Sequence, residues 1–194
     1  MQNSPSLARP TRSTTSRLGD PPKIRAPTRY LRAMRTAVFP GSFDPLTLGH
    51  VSLVQRGLAL FDHVVVAIGH NPGKRRTLSL EIRMQVIATT FRPEPRVRVE
   101  TYQGLTAQFA ASIGAVAIMR GLRDATDLGF EAPQAHANRQ MVSSVETVFL
   151  PCDPEYSFVS SSLMREIFGA GGDPSRWLPT AAWDALRNAA AHGA

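Results

Sequence analysis

From Arg35 onward two hydrophobic patterns alternate along the chain. Short β-rich apolar runs occur at Thr36–Phe39, Val64–Ile68, Val97–Glu100, Val116–Met119 and Thr147–Leu150. Each has the length and composition of a strand buried in a sheet. Between them apolar residues recur at spacings of three and four: Val51, Val54, Leu58 and Phe61, then Ile82 and Val86, then Ala107, Ala110 and Ile113. Gly114 is placed to end the last of these helices. Ser161–Phe168 and Pro179–Ala191 read as closing helices, Pro179 being suited to a first helical turn. Five strands joined by helical crossovers predict an α/β fold, a doubly wound parallel five-stranded sheet with C-terminal helices. The 194 residues suit one such domain, and no internal repeat interrupts it.

Composition changes this picture only when it is divided along the chain. The formal net charge of +7 suggests a polyanion binder. Residues 1–35, however, hold eight Lys/Arg against the single acid Asp20, while residues 36–194 hold fourteen of each sign. The body is neutral, which argues against nucleic acid as its partner. Residues 1–33 are rich in Ser, Thr, Pro and Arg, and five prolines break any helical period. Such a segment buries too little apolar surface to offset its ordering entropy, so a disordered basic leader is expected at 1–33 and one folded domain at 34–194. An organelle transit peptide and a weak polyanion-binding tail are the functional readings of the leader. A non-functional extension is favoured over both, because the prolines spoil an amphipathic helix and Met34 stands just before the first strand as an alternative start. No apolar run approaches the ~18 residues that cross a bilayer. Cys152 stands alone, which excludes an internal disulfide framework and a cysteine-rich zinc site and fits a reducing cytoplasm.

In open parallel sheets ligands bind beyond the carboxyl ends of the strands, and the unusual residues fall there. Strand one is followed by Pro40-Gly41-Ser42-Phe43-Asp44-Pro45 and by Thr47-Leu48-Gly49-His50 opening a helix. Strand two is followed by His70-Asn71-Pro72-Gly73-Lys74-Arg75-Arg76, strand four by Arg120-Gly121-Leu122-Arg123, and strand five by a loop ending in Val159-Ser160-Ser161-Ser162. Glycine lets a phosphate approach the backbone, and helix N-termini offer free N–H groups to anions. Lysine supplies a point charge and arginine a fork matched to phosphate oxygens. The four loops together predict a large anion site. Neither a P-loop pattern nor G-x-G-x-x-G is present. Taken singly, each residue has a plainer reading: His50 as a capping residue, 74–76 as a solvated loop, Arg120 and Arg123 as ion-pair partners of Asp124 or Asp127, the serines as a helix cap. His63, His70, His136 and His192 keep that plainer reading, Cys152 reads as a passive thiol, and Trp177 and Trp183 read as packing residues.

Jointly these residues resemble a known family. Thr47-x-Gly49-His50 resembles the signature of the nucleotidylyltransferase superfamily, and Val159-Ser160-Ser161-Ser162-x-x-Arg165 resembles its second signature. More narrowly, PGSFDP at 40–45, NPGK at 71–74, RGLR at 120–123, Asn138-Arg139 and PEYSFVSSS at 154–162 are similar, in order and spacing, to bacterial phosphopantetheine adenylyltransferases. The resemblance covers about Thr36 to Leu186. It implies a Rossmann-like nucleotidylyltransferase fold and transfer of adenylate from ATP to 4′-phosphopantetheine, by in-line attack with no covalent enzyme intermediate. It implies that His50 stabilises charge at the α-phosphate, that Lys74 and Ser42 orient the attacking phosphate with Arg120 assisting, and that Arg123 with Ser160, Ser161 and Ser162 holds the β- and γ-phosphates. It further implies nucleotide contacts from Gly41, Ser42, Phe43, Glu131 and Tyr156, and a pantetheine side lined by Leu105, Thr106 and Asn138. Mg²⁺ is implied as the ATP counter-ion, coenzyme A as a feedback ligand, and a cytoplasmic homohexamer as the assembly.

The chain departs from the family pattern in three places. Ser42 stands where Thr is common, with the hydroxyl retained. Asp127-Leu128-Gly129-Phe130-Glu131 replaces Asp-Phe-Glu-Tyr-Glu, so Phe130 lacks the phenolic donor. Pro133 falls where a helix interior is expected, which predicts a helix that starts late or kinks. Two other readings compete with the leading one. One is a nucleotidylyltransferase of the same superfamily with a different phosphate acceptor; the other is a non-catalytic nucleotide-binding protein.

Overall fold

The computed structural model describes residues 34–70, 73 and 76–192. The expected leader at 1–33 and the side chain of Lys74 therefore lie outside the described residues. Five strands form one all-parallel sheet: β1 (Thr36–Gly41), β2 (His63–Gly69), β3 (Val97–Tyr102), β4 (Ala117–Leu122) and β5 (Glu146–Pro151). Their spatial order is β3-β2-β1-β4-β5. The register sets Val38 against Val65 on one side of β1 and against Ile118 on the other. All five apolar runs read from the sequence are strands, each one to three residues longer than its apolar run at the carboxyl end.

Six helices complete the fold: α1 (Leu48–Gly57), α2 (Leu80–Thr90), α3 (Thr106–Ser112), α4 (Ala125–Met141), α5 (Ser161–Gly169) and α6 (Thr180–His192). Their starts have identifiable causes. Thr47, Ser79, Asp124 and Ser160 each stand in extended conformation at an N-cap and accept a first-turn N–H. Gly114 follows α3 at φ +69°, a left-handed position that suits the glycine stop. Alternation along the strands builds two cores. Phe39, Val66, Ile68 and Met119 point to one face, with Val54, Ile87, Met164 and Leu186 from α1, α2, α5 and α6. Val38, Val65, Ala67 and Ile118 point to the other, where Ala107 and Ala110 let α3 approach closely. Trp177 and Trp183 pack against the first core, edge-on to Phe158 and Phe168 respectively.

Of the two expectations for α4, a late start is corrected: Asp124 accepts from the N–H groups of Thr126 and Asp127, and the helix continues unbroken through Pro133. The ring would crowd the carbonyl four residues back, which belongs to Gly129. Both residues are exposed, so that carbonyl remains open to water. Among the described residues no helix is long and apolar enough to cross a membrane.

Candidate active site

Strand order reverses at β1, which has β2 on one side and β4 on the other. The crevice beyond the carboxyl ends of β1 and β4 is where such sheets bind ligands. A cavity of about 270 Å³ opens there, walled by Gly41, His50, Arg120, Arg123, Tyr156 and Ser160, among others. A second, of about 190 Å³, lies beyond Pro40, Gly41 and Arg120 and adds Ser42, Arg76, Tyr102 and Thr106. A small recess of about 30 Å³ continues past Arg120 to Thr106 and Asn138. Arg120 and Pro40 border all three spaces. The expected nucleotide-side and acceptor-side residues thus fall largely into adjoining compartments.

His50 is the third residue of α1 and completes its cap. The backbone N–H of Thr47 donates to His50 Nδ1 at 3.1 Å, and Thr47 Oγ1 lies 3.0 Å from the same nitrogen. The His50 N–H in turn donates to Thr47 Oγ1 at 3.4 Å. A backbone N–H can only donate, so Nδ1 is the acceptor and the ring proton resides on Nε2. Phe43 packs edge-on against the imidazole, with centroids 5.1 Å apart. Enclosure, then the charge of Arg123, then that of Arg120, lower the His50 pKa from 6.5 to about 4. At neutral pH His50 is therefore an uncharged donor with one orientation.

The two arginines of the Arg120–Arg123 segment are each gripped by a carboxylate of α4. Arg123 Nε and Nη2 donate to the two oxygens of Asp127 at 3.0 and 2.9 Å, and its backbone N–H donates to Asp127 at 2.8 Å. This ion pair keeps the Asp127 carboxyl below its ordinary range and raises Arg123. Arg120 forks onto both oxygens of Glu131 and donates to the Pro40 carbonyl at 3.0 Å. Glu131, expected to touch the nucleotide, spends both oxygens on Arg120, although it still walls the larger cavity. Asp124, one of the two ion-pair partners weighed from the sequence, caps α4 instead.

At the head of α5 the serines divide their work. Ser160 Oγ accepts from the Leu163 N–H at 3.1 Å, Ser161 Oγ donates to the Pro45 carbonyl at 2.8 Å, and Ser162 Oγ accepts from Arg165 at 3.3 Å. The Ser161 hydroxyl is thus engaged in holding the β1–α1 loop, and the first turn offers an anion chiefly its free N–H groups. At Gly41 the structure adds a packing reason for glycine to the phosphate approach expected from the sequence. A methyl group there would sit 2.7 Å from the Phe43 ring, which lies over it. Phe43 itself adopts φ +46°, a left-handed conformation that costs a non-glycine residue on the order of 1–3 kcal/mol.

Leu105 is exposed at the head of α3 and does not wall these cavities, whereas Thr106, hydrogen-bonded to the Tyr102 hydroxyl, does. Cys152 lines the larger cavity, and burial pushes its thiol up, keeping it protonated. Three residues escaped the sequence reading as members of the site. Arg76, read as part of a solvated loop, borders the acceptor-side space. Asp127 was weighed only as a surface ion-pair partner. Thr47 was noted only as a motif letter, yet fixes the His50 tautomer. Among the described residues no group of three or more His, Cys, Asp or Glu converges as a metal cage.

The sequence matches the cytidylyltransferase-like family over residues 38–167. A solved structure of a Vibrio parahaemolyticus protein, provisionally assigned as a nicotinate-nucleotide adenylyltransferase, superposes with a TM-score of 0.61. It is 18% identical and covers 80% of this chain and 93% of that one, a likeness that bears on the fold alone. The chain is 47% identical over 148 residues, 76% of its length, to the phosphopantetheine adenylyltransferase of Flavobacterium psychrophilum, covering 97% of that protein. It is 48% identical to that of Flavobacterium johnsoniae over 76% of this chain and 97% of that one. For the Thermotoga neapolitana enzyme the figures are 44% identity, 73% of this chain and 88% of that one. Relatives matched this closely over nearly their whole length, on a sheet whose switch point carries the histidine, arginine and serine positions of the motif, leave one conclusion: the chain belongs to the phosphopantetheine adenylyltransferase family.

Proposed function

We propose that the protein transfers adenylate from ATP to 4′-phosphopantetheine, giving dephospho-coenzyme A and pyrophosphate. The observation that carries the mechanism is the neutral Nε2–H donor of His50, fixed by its own helix cap at the cavity that adjoins a second space across Gly41 and Arg120. In-line displacement needs the attacking and leaving oxygens on opposite sides of the α-phosphorus. An oxygen of the acceptor phosphate forms the new bond as the bond to the pyrophosphate oxygen breaks. A phosphate is already a nucleophile, so no base is needed and the protein mainly aligns the reactants and offsets charge. His50 donates to the α-phosphate oxygen where charge builds. Arg123 and the first-turn N–H groups of α5 take the β- and γ-phosphates. Ser42, Arg120 and Lys74 orient the acceptor phosphate, with Thr106 and Asn138 along the pantetheine arm.

Mg²⁺ enters with ATP as part of the substrate, held by phosphate oxygens and water. The two carboxylates that wall the cavity, Asp127 and Glu131, are committed to arginines and do not form a cage of their own. Coenzyme A carries the nucleotide and pantetheine parts of the product and competes for the same spaces. Residues 34–194 constitute the catalytic domain, acting in the cytoplasm. Exposed Leu128, Phe130 and Met141 on α4, a helix with no buried residue, support contact between copies of the chain and a homohexamer.

The test is pyrophosphate release with ATP and 4′-phosphopantetheine, beside a panel of other phosphate acceptors. Turnover confined to 4′-phosphopantetheine is expected. Binding of ATP without pyrophosphate release on this acceptor would overturn the assignment.

A further inference from the structure

Among the described residues only three polar or charged side chains are buried: Asp44 at 2% exposure, Thr47 at 1% and Arg83 at 6%. Thr47 is explained by His50. Asp44 and Arg83 wall none of the three spaces at the site, yet burying a carboxylate and a guanidinium is costly unless close hydrogen-bonding geometry offsets it. Their partners show what that geometry serves.

Asp44 Oδ1 accepts from the Leu78 N–H at 2.9 Å and Oδ2 from the Thr77 N–H at 3.0 Å. Arg83 Nε donates to the Leu78 and Ser79 carbonyls at 3.1 and 3.3 Å, and Nη1 donates to the Ser42 carbonyl at 2.8 Å. Leu78 is therefore held by both charges, its N–H by one and its carbonyl by the other; burial lowers the Arg83 pKa, and the Asp44 carboxylate opposes that shift. On the opposite side Arg165 of α5 donates to the Asp44 carbonyl. Together these bonds hold the Ser42–Phe43 peptide, the Asp44–Pro45 peptide and the Thr77–Ser79 segment to which Asp44 and Arg83 both bind. Phe43 is the one described non-glycine residue at positive φ, and such a conformation persists only where its surroundings over-determine it. Its ring covers Gly41 and meets the His50 imidazole edge-on.

We propose that Asp44 and Arg83 are positioning residues, a buried strut that locks the left-handed turn at Phe43 and thereby aims Ser42 and the His50 ring at the reacting phosphates. The proposal rests on the adenylyl-transfer reading of the site. Without Arg83 the Ser42 carbonyl loses its donor, Phe43 relaxes to negative φ, and its ring withdraws from Gly41 and His50. The acceptor side then suffers more than the triphosphate side, because Arg123 has no bond to the strut and α5 meets it only through the Asp44 and Pro45 carbonyls, which loss of the Arg83 guanidinium leaves in place.

Arg83→Met, Arg83→Lys and Asp44→Asn in the full chain test this. Steady-state kinetics in both substrates, thermal melting, and the ¹⁵N signals of the His50 ring are the readouts. For Arg83→Met a tenfold or greater fall in kcat is expected, with at least a fivefold rise in KM for 4′-phosphopantetheine and a KM for ATP within twofold of wild type. Arg83→Lys, which keeps one donor for the Ser42 carbonyl, recovers most of that loss, and the His50 ring signals move in Arg83→Met but not in Arg83→Lys. A folded Arg83→Met protein with a lowered melting temperature, wild-type kinetics and unmoved His50 signals would show a purely structural role and overturn the proposal. Should Arg83→Met fail to fold, Asp44→Asn decides by the same kinetic split, and wild-type kinetics there overturn it. If the wild type itself releases no pyrophosphate, the functional reading fails separately, while the His50 signals still report whether the strut aims the ring.

Discussion

At His50 the two ring nitrogens are divided between folding and the proposed chemistry. Nδ1 takes the Thr47 N–H and closes the α1 cap, which leaves Nε2–H to face the cavity. Replacing the ring separates the two roles. His50→Ala loses both, and a drop on the order of 10²-fold or more in kcat is expected from the missing transition-state donor. His50→Asn sets a carbonyl oxygen near the position of Nδ1 and keeps an acceptor for Thr47. It should lose activity to the same extent while melting closer to wild type than His50→Ala does. Parallel kinetics and melting curves of the two variants check this. The lowered pKa of His50 adds a pH dependence with a definite sign. The folded state stays neutral down to about 4, whereas the unfolded chain takes up a proton below 6.5. The unfolded state thus binds more protons across that window, so the His50 contribution to stability falls as pH drops from 6.5 towards 4. Melting temperatures at several pH values should show a shallower acid-side decline in His50→Asn than in wild type; equal slopes would contradict the assignment.

At the scale of elements, α4 shows how a helix that contributes nothing to the core still shapes the site. It has no buried residue, but Asp127 and Glu131, one turn apart, fix the two arginine forks. Capping chemistry is local, and it made the starts at Thr47 and at the 160–162 serines legible, whereas Ser79 was not singled out and Asp124 was weighed only as an ion-pair partner. The continuity of α4 was not legible, because it depends on how an exposed turn at Gly129 accommodates the ring of Pro133. The division of labour among Ser160, Ser161 and Ser162 was equally hidden, since the Ser161 partner is the Pro45 carbonyl, 116 positions away. The same holds for Asp44 and Arg83, whose partners lie between four and 41 positions off. Pro133 gives a direct test at this scale. Its side chain is exposed, so Pro133→Ala removes no packing while it restores a donor for the Gly129 carbonyl. A proline in a helix interior costs about 3 kcal/mol, part of which the exposed turn already relieves. Pro133→Ala should raise the melting temperature by several degrees and leave both KM values unchanged, as calorimetry and steady-state assays would show.

For the whole molecule, charge and chemistry reside in different parts of the chain. Every wall residue of the three spaces around Arg120 falls between Phe39 and Ser161, within a body whose charges balance. All the excess positive charge belongs to residues 1–35. Phosphate affinity therefore cannot come from a general positive field. In the proposed reading it comes from local placement, two helix heads and two arginine forks at the point where the strand order reverses. The strand order itself was not readable from the sequence, but its consequence was, because motif residues cluster after strand ends whichever strands are neighbours. From this separation it follows that a chain beginning at Met34, which lacks seven basic residues and one acidic residue, should keep kcat and both KM values within about twofold of the full chain. Its retention on a polyanion column should fall, and the salt dependence of that retention should weaken, because the slope counts the basic groups engaged. A tenfold or greater loss of kcat on removing 1–33 would place part of the catalytic apparatus in the leader and refute the division of labour. An unchanged rate with an unchanged salt slope would instead locate polyanion contacts on the neutral body, at the same arginines that serve the triphosphate, and inorganic triphosphate would then compete for them.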